Sequence, residues 1–123
     1  MAAPAAPITR LDTTPRYSEA VVHAGTVYLA GQVPADDALA TPATQMASIL
    51  AQIDALLARA GSSKARLLSA TVYLTSFEHY AAMNEAWVAW LPAGCAPARA
   101  TVGNVTLAND KWLIEVQLTA ATL

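Results

Sequence analysis

The stretch TPATQMASILAQIDALLARAG, residues 41–61, carries the clearest structural signal in the chain. Thr41 followed by Pro42 is typical of a helix N-cap and a first helical residue, and Gly61 is typical of a helix end. Between them, apolar residues recur at three- and four-residue steps: Met46, Ile49, Leu50, Ile53, Leu56 and Leu57. This spacing predicts an amphipathic helix whose apolar stripe packs against another layer.

The residues that follow predict a strand and a second helix. Leu67 to Thr75 alternates between apolar and polar residues, as a half-buried strand does. Ser76 is suited to cap a second helix that ends near Leu91 and Pro92. The apolar stripe of that helix is formed by Tyr80, Met83, Trp87 and Trp90. Two more strands are then predicted, one from Ala98 to about Val105 and one from Lys111 to Ala120.

Three short strands are predicted before the first helix. They cover Ile8 to Asp12, Ser18 to His23 and Thr26 to Ala30, and Gly25 closes the last two into a hairpin. The residues from Gly31 to Ala40 are expected to form a loop. The whole order indicates an α+β fold, with two helices on one face of a mixed sheet and the other face left for a partner subunit.

Length and composition indicate one domain that associates with copies of itself. The chain has 123 residues, enough for one core, and we expect a flexible N-terminal segment at 1–7 and a single domain at 8–123. Hydrophobic residues make up 55% and charged residues 13%, against roughly 25% charged residues in a typical domain. Since no stretch approaches the ~20 apolar residues of a membrane span, we expect the excess apolar surface to be buried between subunits.

Charge and cysteine content exclude several kinds of partner and site. The net charge is −2 and the seven Lys and Arg residues are scattered, so no nucleic-acid partner is expected. The single Cys95 allows no internal disulfide and suits a reducing compartment, and without a signal sequence we expect the cytoplasm. His23 and His79 have no acidic or cysteine companions at ligand spacing, so no metal site is expected.

Two charged residues in the last strands are the first candidates for chemistry. The final strand places Glu115 on the face opposite its apolar residues, which are predicted to face the helices and are Trp112, Ile114, Val116 and Leu118. If Ala98, Ala100 and Val102 share the helix side, Arg99 lies on the same face as Glu115, in the cleft that a partner subunit covers. The pattern alone favours a structural salt bridge or two solvent-facing charges over a catalytic pair.

Four segments resemble the reactive intermediate deaminase family, also called RidA or YjgF-like. They occur in the family's order over nearly the whole chain, and the Pro-Ala-Arg element at 97–99 is the most diagnostic. The matching segments are RYSEAV at 16–21, LAGQVP at 29–34, Met83-Asn84 with Trp87 and Trp90, and APARATV at 96–102, and Ile114-Glu115-Val116 also fits.

The resemblance implies a chorismate-mutase-like fold, a homotrimer and active sites in the clefts between subunits. It also implies hydrolysis of small 2-imino acids to 2-oxo acids and ammonia, without a cofactor. Arg99 then binds the substrate carboxylate, for which its planar guanidinium is suited, and Glu115 positions or activates the water. Tyr17, Gly31 and Asn84 are implied to line the pocket.

Departures from the family pattern indicate a divergent subfamily. Thr101 stands where many members have a cysteine, and we include it among the predicted substrate-binding residues. Gln117 replaces the second acid of a Glu-x-Glu ending, and Pro15-Arg16 replaces a Gly-Pro pair. Cys95 has no histidine nearby in the sequence and is interpreted as a non-catalytic thiol.

Two other functions stay open at this point. One is a non-enzymatic trimer that binds small carboxylates or plays a regulatory or chaperone-like role, since a fold does not fix a function. The other is hydrolysis of a different unsaturated or carbamate-like nitrogen compound in the same cleft. Tyr17 and Asn84 also have structural interpretations, as a strand aromatic and a hydrogen-bonded helix residue, and Gly31 could simply permit a turn.

Overall fold

A computed structural model describes residues 4–123 of the chain. The elements are β1 (Ile8–Thr13), β2 (Ser18–His23), β3 (Thr26–Leu29), α1 (Pro42–Arg59), β4 (Leu67–Leu74), α2 (Tyr80–Trp90), β5 (Ala98–Val102) and β6 (Ile114–Ala121). Residues 1–3 of the predicted flexible segment 1–7 lie outside the described residues. Residues 4–7 are exposed and have no regular secondary structure.

The strands form one mixed sheet in the order β1-β2-β3-β6-β4-β5. Neighbouring strands are antiparallel except for β4 and β5, which run parallel because α2 connects them. The two helices cover one face of this sheet, as the alternation in β6 shows: Ile114, Val116 and Leu118 are fully buried, whereas Glu115 and Gln117 keep part of their surface exposed. The predicted α+β class and the mixed sheet with two helices are confirmed.

Helix α1 has the ends that its sequence predicted. The side chain of Thr41 accepts a hydrogen bond from the backbone N–H of Thr44 at 3.1 Å, and Pro42 is the first helical residue. The helix ends at Arg59, and Gly61 adopts the left-handed conformation, with φ of +78°. All six residues of the predicted stripe are buried in the core.

Several boundaries differ from the sequence prediction. Ser76 caps a short 3₁₀ turn rather than α2 itself, which begins at Tyr80. The strand β3 ends at Leu29 and not at Ala30, and β5 ends at Val102 and not near Val105. These strands stop where their backbone turns away from the neighbouring ladder, and in β5 the turn follows at Asn104, with φ of +56°.

The last strand begins at Ile114 and not at Lys111 because the preceding residues bond to a helix side chain. The buried amide of Gln45 donates to the carbonyl of Lys111 at 2.9 Å and accepts from the N–H of Leu113 at 2.8 Å. It also donates to the carbonyl of Leu39 at 2.9 Å. One side chain of α1 therefore fixes both the loop after β3 and the residues immediately before β6.

A bulge marks the end of β3. Tyr28 lies opposite Thr119, and Gln32 lies opposite Val116, so β3 and its extension advance four residues while β6 advances three. The backbones of Gln32 and Val116 exchange two hydrogen bonds, at 2.7 and 3.0 Å. The extra residue bends the chain at Ala30 and Gly31 and brings Gly31 next to Glu115.

Within residues 4–123, no helix is both long and apolar enough to cross a bilayer.

Candidate functional site

Arg99 and Glu115 lie on opposite faces of the sheet, contrary to the sequence prediction. Arg99 pairs with Ala70, which pairs with Leu118 on the helix-covered face. Glu115 pairs with Tyr73, and Tyr73 pairs with Val102 on the uncovered face. Since directly paired residues point to the same face, a single chain cannot bring this arginine and this glutamate together across the sheet.

The prediction was wrong about β5 because alternation shows which residues share a face, but not which face is covered. Ala98, Ala100 and Val102 are exposed on the uncovered face, and Arg99 takes the helix side. Strand β5 is at the edge of the sheet, so the long arginine stem can pack under α2 while its guanidinium remains near the surface.

The guanidinium of Arg99 is held by side chains of α2. Its Nη1 lies 3.8 Å from the sulfur of Met83, and its central carbon lies 5.6 Å from the centre of the Trp87 ring, which is a cation–π distance. In the described part of the chain no carboxylate lies within ion-pair distance of Arg99. The charge is therefore oriented by its surroundings but not neutralised by a partner.

Asn84 and Thr101 belong to the same side of the molecule as Arg99. Asn84 follows Met83 in α2 and is half-buried, and Thr101 pairs with Val72 on the helix-covered face. Two of the predicted substrate-binding residues therefore accompany the arginine and not the glutamate.

Glu115 lies directly against the backbone of Gly31. A Cβ atom added at Gly31 would overlap the Oε2 of Glu115 and would lie 2.9 Å from its carboxyl carbon. Gly31 has no positive φ, so the position needs glycine for space rather than for backbone conformation. The N–H of Gly31 donates to no acceptor in the described chain and is available beside the carboxylate.

The carboxylate of Glu115 is partly buried and makes no hydrogen bond with residues 4–123. Its desolvation raises the pKa of Glu115 above the ordinary value of a glutamate. A carboxylate with a raised pKa and free oxygens is suited to accept a proton from a bound water near neutral pH.

Two cavities meet at Gly31 and Glu115. The first cavity has a volume of about 500 Å³ and is lined by Asp12, Tyr17, Glu19, Gly31, Gln32, Val33, Gln52, Ala55, Leu56, Trp112 and Glu115. The second cavity has a volume of about 400 Å³ and is lined by Gly31, Tyr73, Val105, Thr106, Leu107, Ala108, Glu115 and Gln117. Tyr17 is 53% exposed at the first cavity, so the structure brings Tyr17, Gly31 and Glu115 together.

Sequence reasoning missed several residues of the first cavity. Glu19 accepts a hydrogen bond from the side-chain amide of the buried Gln32 at 3.0 Å. Trp112 was predicted to face the helices in the last strand, but it precedes that strand and lines the cavity, with its indole N–H buried without an acceptor in the described chain. The available signals were the positions of Glu19 inside the RYSEAV segment and of Gln32 inside the LAGQVP segment.

Among residues 4–123, no three His, Cys, Asp or Glu residues are grouped so that they could hold a metal ion.

The chain is similar to known proteins over nearly its whole length. A family model described as "Endoribonuclease L-PSP" matches residues 7–122. A RutC family protein of Haemophilus ducreyi is 42% identical, with 93% of this chain and 96% of the relative covered. The RutC family protein YoaB of Escherichia coli is 44% identical, with 93% and 97% covered. The crystal structure of a YjgF family member from Neisseria meningitidis superposes with a TM-score of 0.91 at 46% identity, covering 95% and 96% of the two chains.

Proposed function

The chain belongs to the Endoribonuclease L-PSP family, with its RutC and YjgF members, and from this premise we propose that it is a hydrolase that converts small 2-imino acids to 2-oxo acids and ammonia. The family resemblance inferred from the sequence is confirmed, whereas the activity is our proposal. The observation that carries it is the carboxylate of Glu115, seated on Gly31 where two cavities meet and free of hydrogen-bond partners in the described residues.

Glu115 acts as the general base in this proposal. Its carboxylate removes a proton from water while the water oxygen bonds to C2 of the protonated imine and the electron pair of the C=N bond passes to nitrogen, which gives a carbinolamine. Protonated Glu115 then gives that proton to the amino nitrogen, the C–N bond breaks as the C–O bond becomes double, and Glu115 takes up the hydroxyl proton, which leaves the 2-oxo acid and ammonia. Each transfer needs only a positioned carboxylate, so no cofactor enters the reaction.

Arg99 supplies the carboxylate clamp of a neighbouring copy in this proposal. Its guanidinium forms no ion pair within residues 4–123 and lies on the face opposite Glu115, so an active site that uses both residues requires two subunits. The uncovered face of the sheet offers the contact surface, since Tyr28, Val102, Ala98 and Ala100 are exposed there. We propose a homotrimer in which Arg99, Asn84 and Thr101 of one subunit meet Tyr17, Gly31 and Glu115 of the next.

The activity is tested by ammonia release from 2-iminopropanoate and 2-iminobutanoate, which an amino-acid oxidase generates in the assay. We expect the protein to accelerate decay of both imines and the folded Arg99→Ala variant to lose the acceleration. Glu115→Gln should abolish turnover and leave the binding of a 2-oxo acid intact.

The alternative is a trimer that binds small carboxylates without catalysis. It predicts binding that depends on Arg99, with no turnover in any variant. Decay of both imines at the spontaneous rate in the presence of the native protein would overturn the proposed activity.

A further inference from the structure

The first cavity extends well beyond the point where the proposed reaction takes place. Glu115 and Gly31 lie at the junction with the second cavity, whereas Gln52 and Leu56 of α1 line the first cavity alone. Its volume of about 500 Å³ lies within the range of sites that hold drug-sized ligands. An imino acid of three or four carbons fills only a small part of such a space.

One acceptor at this cavity has no donor among the described residues. The side chain of Gln32 is only 4% exposed, and its amide nitrogen donates to Glu19 and to the carbonyl of Ala30, both at 3.0 Å. Because the amide nitrogen is fixed by two acceptors, the other atom is the oxygen, and it accepts no hydrogen bond from residues 4–123. The oxygen retains some accessible surface and its side chain lines the cavity, so it is available to a donor there.

Gln52 of α1 also has an amide oxygen that accepts no hydrogen bond from the described residues. Its amide nitrogen donates to the carbonyl of Val33 at 2.8 Å and to Ser48 at 3.3 Å, which leaves its oxygen as a second acceptor without a donor in the described chain. Two glutamines on different elements therefore line one cavity, and the amide oxygen of each accepts no hydrogen bond from residues 4–123.

The charges around the cavity have one sign. Asp12, Glu19 and Glu115 line it, and no lysine or arginine of residues 4–123 does. Asp12 is paired with Arg59 through two hydrogen bonds of 2.7 and 2.9 Å, so Glu19 and Glu115 are the lining carboxylates without an ion-pair partner in the described residues. A cavity with acidic walls and free acceptors favours a cationic group that carries several N–H donors.

We infer that the substrate is a 2-imino acid whose side chain extends from Glu115 into the first cavity and ends in a cationic, donor-rich group such as a guanidinium. This inference rests on the proposed function and deepens it. Glu19 and the free oxygens of Gln32 and Gln52 are then the residues that determine specificity, and the 2-imino carbon stays at Glu115.

The test compares imines of similar length with and without the charge. An L-amino-acid oxidase generates the imines of arginine, norleucine and alanine, and the catalysed rate is followed by ammonia release. We expect kcat/KM for the arginine-derived imine to exceed that for the norleucine-derived imine by about tenfold or more, the discrimination expected when matched polar contacts are lost. Glu19→Gln should reduce this ratio, and Glu85→Gln, which removes an exposed carboxylate outside both cavities, should not.

The outcomes separate this inference from the function on which it rests. Equal kcat/KM for the two longer imines, or a preference for norleucine, would overturn the inferred specificity, while turnover of the alanine-derived imine would still support the hydrolase. A preference for arginine that Glu19→Gln leaves unchanged would overturn the assignment to the first cavity. Spontaneous rates for all three imines would overturn both proposals.

Discussion

The carboxylate of Glu115 occupies the space that a side chain at residue 31 would need. A Cβ atom at Gly31 would lie 2.9 Å from the carboxyl carbon of Glu115 and closer still to one of its oxygens. The two residues meet because the bulge before Gln32 and the two backbone hydrogen bonds to Val116 fix the register at this point. The position of the proposed general base therefore depends on the absence of a side chain at residue 31, in the bulge that follows β3.

Gly31→Ala should displace Glu115 and impair catalysis more than it impairs folding. We expect kcat to fall by about 100-fold, because small displacements of a positioned group have effects of that size. Overpacking should lower the free energy of unfolding by about 1–3 kcal/mol. Gly61→Ala is the control, since it strains a left-handed position with no neighbour within 4 Å and should cost about 1–2 kcal/mol without changing kcat. Normal turnover in Gly31→Ala would contradict the proposed role of Glu115.

Arg99→Lys should keep the positive charge and lose the two-pronged contact with a carboxylate. We expect kcat/KM for a 2-imino acid to fall by about 10- to 100-fold, in line with the loss of a charged hydrogen bond. Arg66→Lys, at an exposed arginine that bonds the carbonyl of Thr122, should leave kcat/KM unchanged. Steady-state kinetics of both variants measure the effect. An equal loss of kcat/KM in the two variants would show that the effect is not specific to Arg99.

The acid limb of the activity profile should reflect the raised pKa of Glu115. Since the proposed base works only when ionised, kcat/KM should fall as the pH decreases through a pKa above the ordinary value near 4.5. A profile that stays flat down to the ordinary glutamate range would contradict a raised pKa of Glu115 in the active protein.

The same pKa predicts an effect of Glu115 on stability. Because the folded state binds the proton more tightly than the unfolded chain, burial of the charge lowers the free energy of unfolding as the pH rises through the folded pKa. Glu115→Gln should therefore have a higher Tm than the native protein at neutral pH, and the difference should disappear below about pH 4. Thermal unfolding across this range measures it, with Glu85→Gln as the matched exposed control.

Val102→Asp should prevent association through the uncovered face. Val102 is 39% exposed on that face of β5, and a charge there would be buried without a partner in an oligomer. We expect light scattering to give the mass of a monomer, with loss of imine hydrolysis and a normal circular dichroism spectrum. Val88→Asp makes the same change on α2, where the valine is 70% exposed, and should keep the native mass. An active Val102→Asp monomer would rule out a site shared between subunits.

Gln45→Leu should reveal how much one buried amide contributes to the frame of the site. The substitution leaves the carbonyls of Leu39 and Lys111 and the N–H of Leu113 without their partner. We expect the free energy of unfolding to fall by about 2–4 kcal/mol in urea titrations, the cost of orphaned buried groups. A loss below about 0.5 kcal/mol would mean that water replaces the amide at this position.

The sequence predicted those parts of the fold that depend on local periodicity and capping. The stripe of α1 and its ends at Thr41 and Gly61 follow from the spacing of apolar residues and from cap chemistry. The alternation in β4 and β6 likewise identified which residues face the core, because successive side chains of a strand point to opposite sides. The resemblance carried in the 16–21, 29–34 and 96–102 segments identified the family.

Only the tertiary structure decided how the candidate residues are grouped. Alternation in β5 could not reveal that Arg99 points to the helices, since that depends on an edge position and on the packing of Met83 and Trp87 of α2. The contact of Gly31 with Glu115 depends on one extra residue in a bulge. The cavity beside these two residues depends on the hydrogen bond between Glu19 and Gln32. Periodicity is a property of neighbouring residues, but faces, registers and cavities arise from contacts between residues far apart in the chain, which no local pattern encodes.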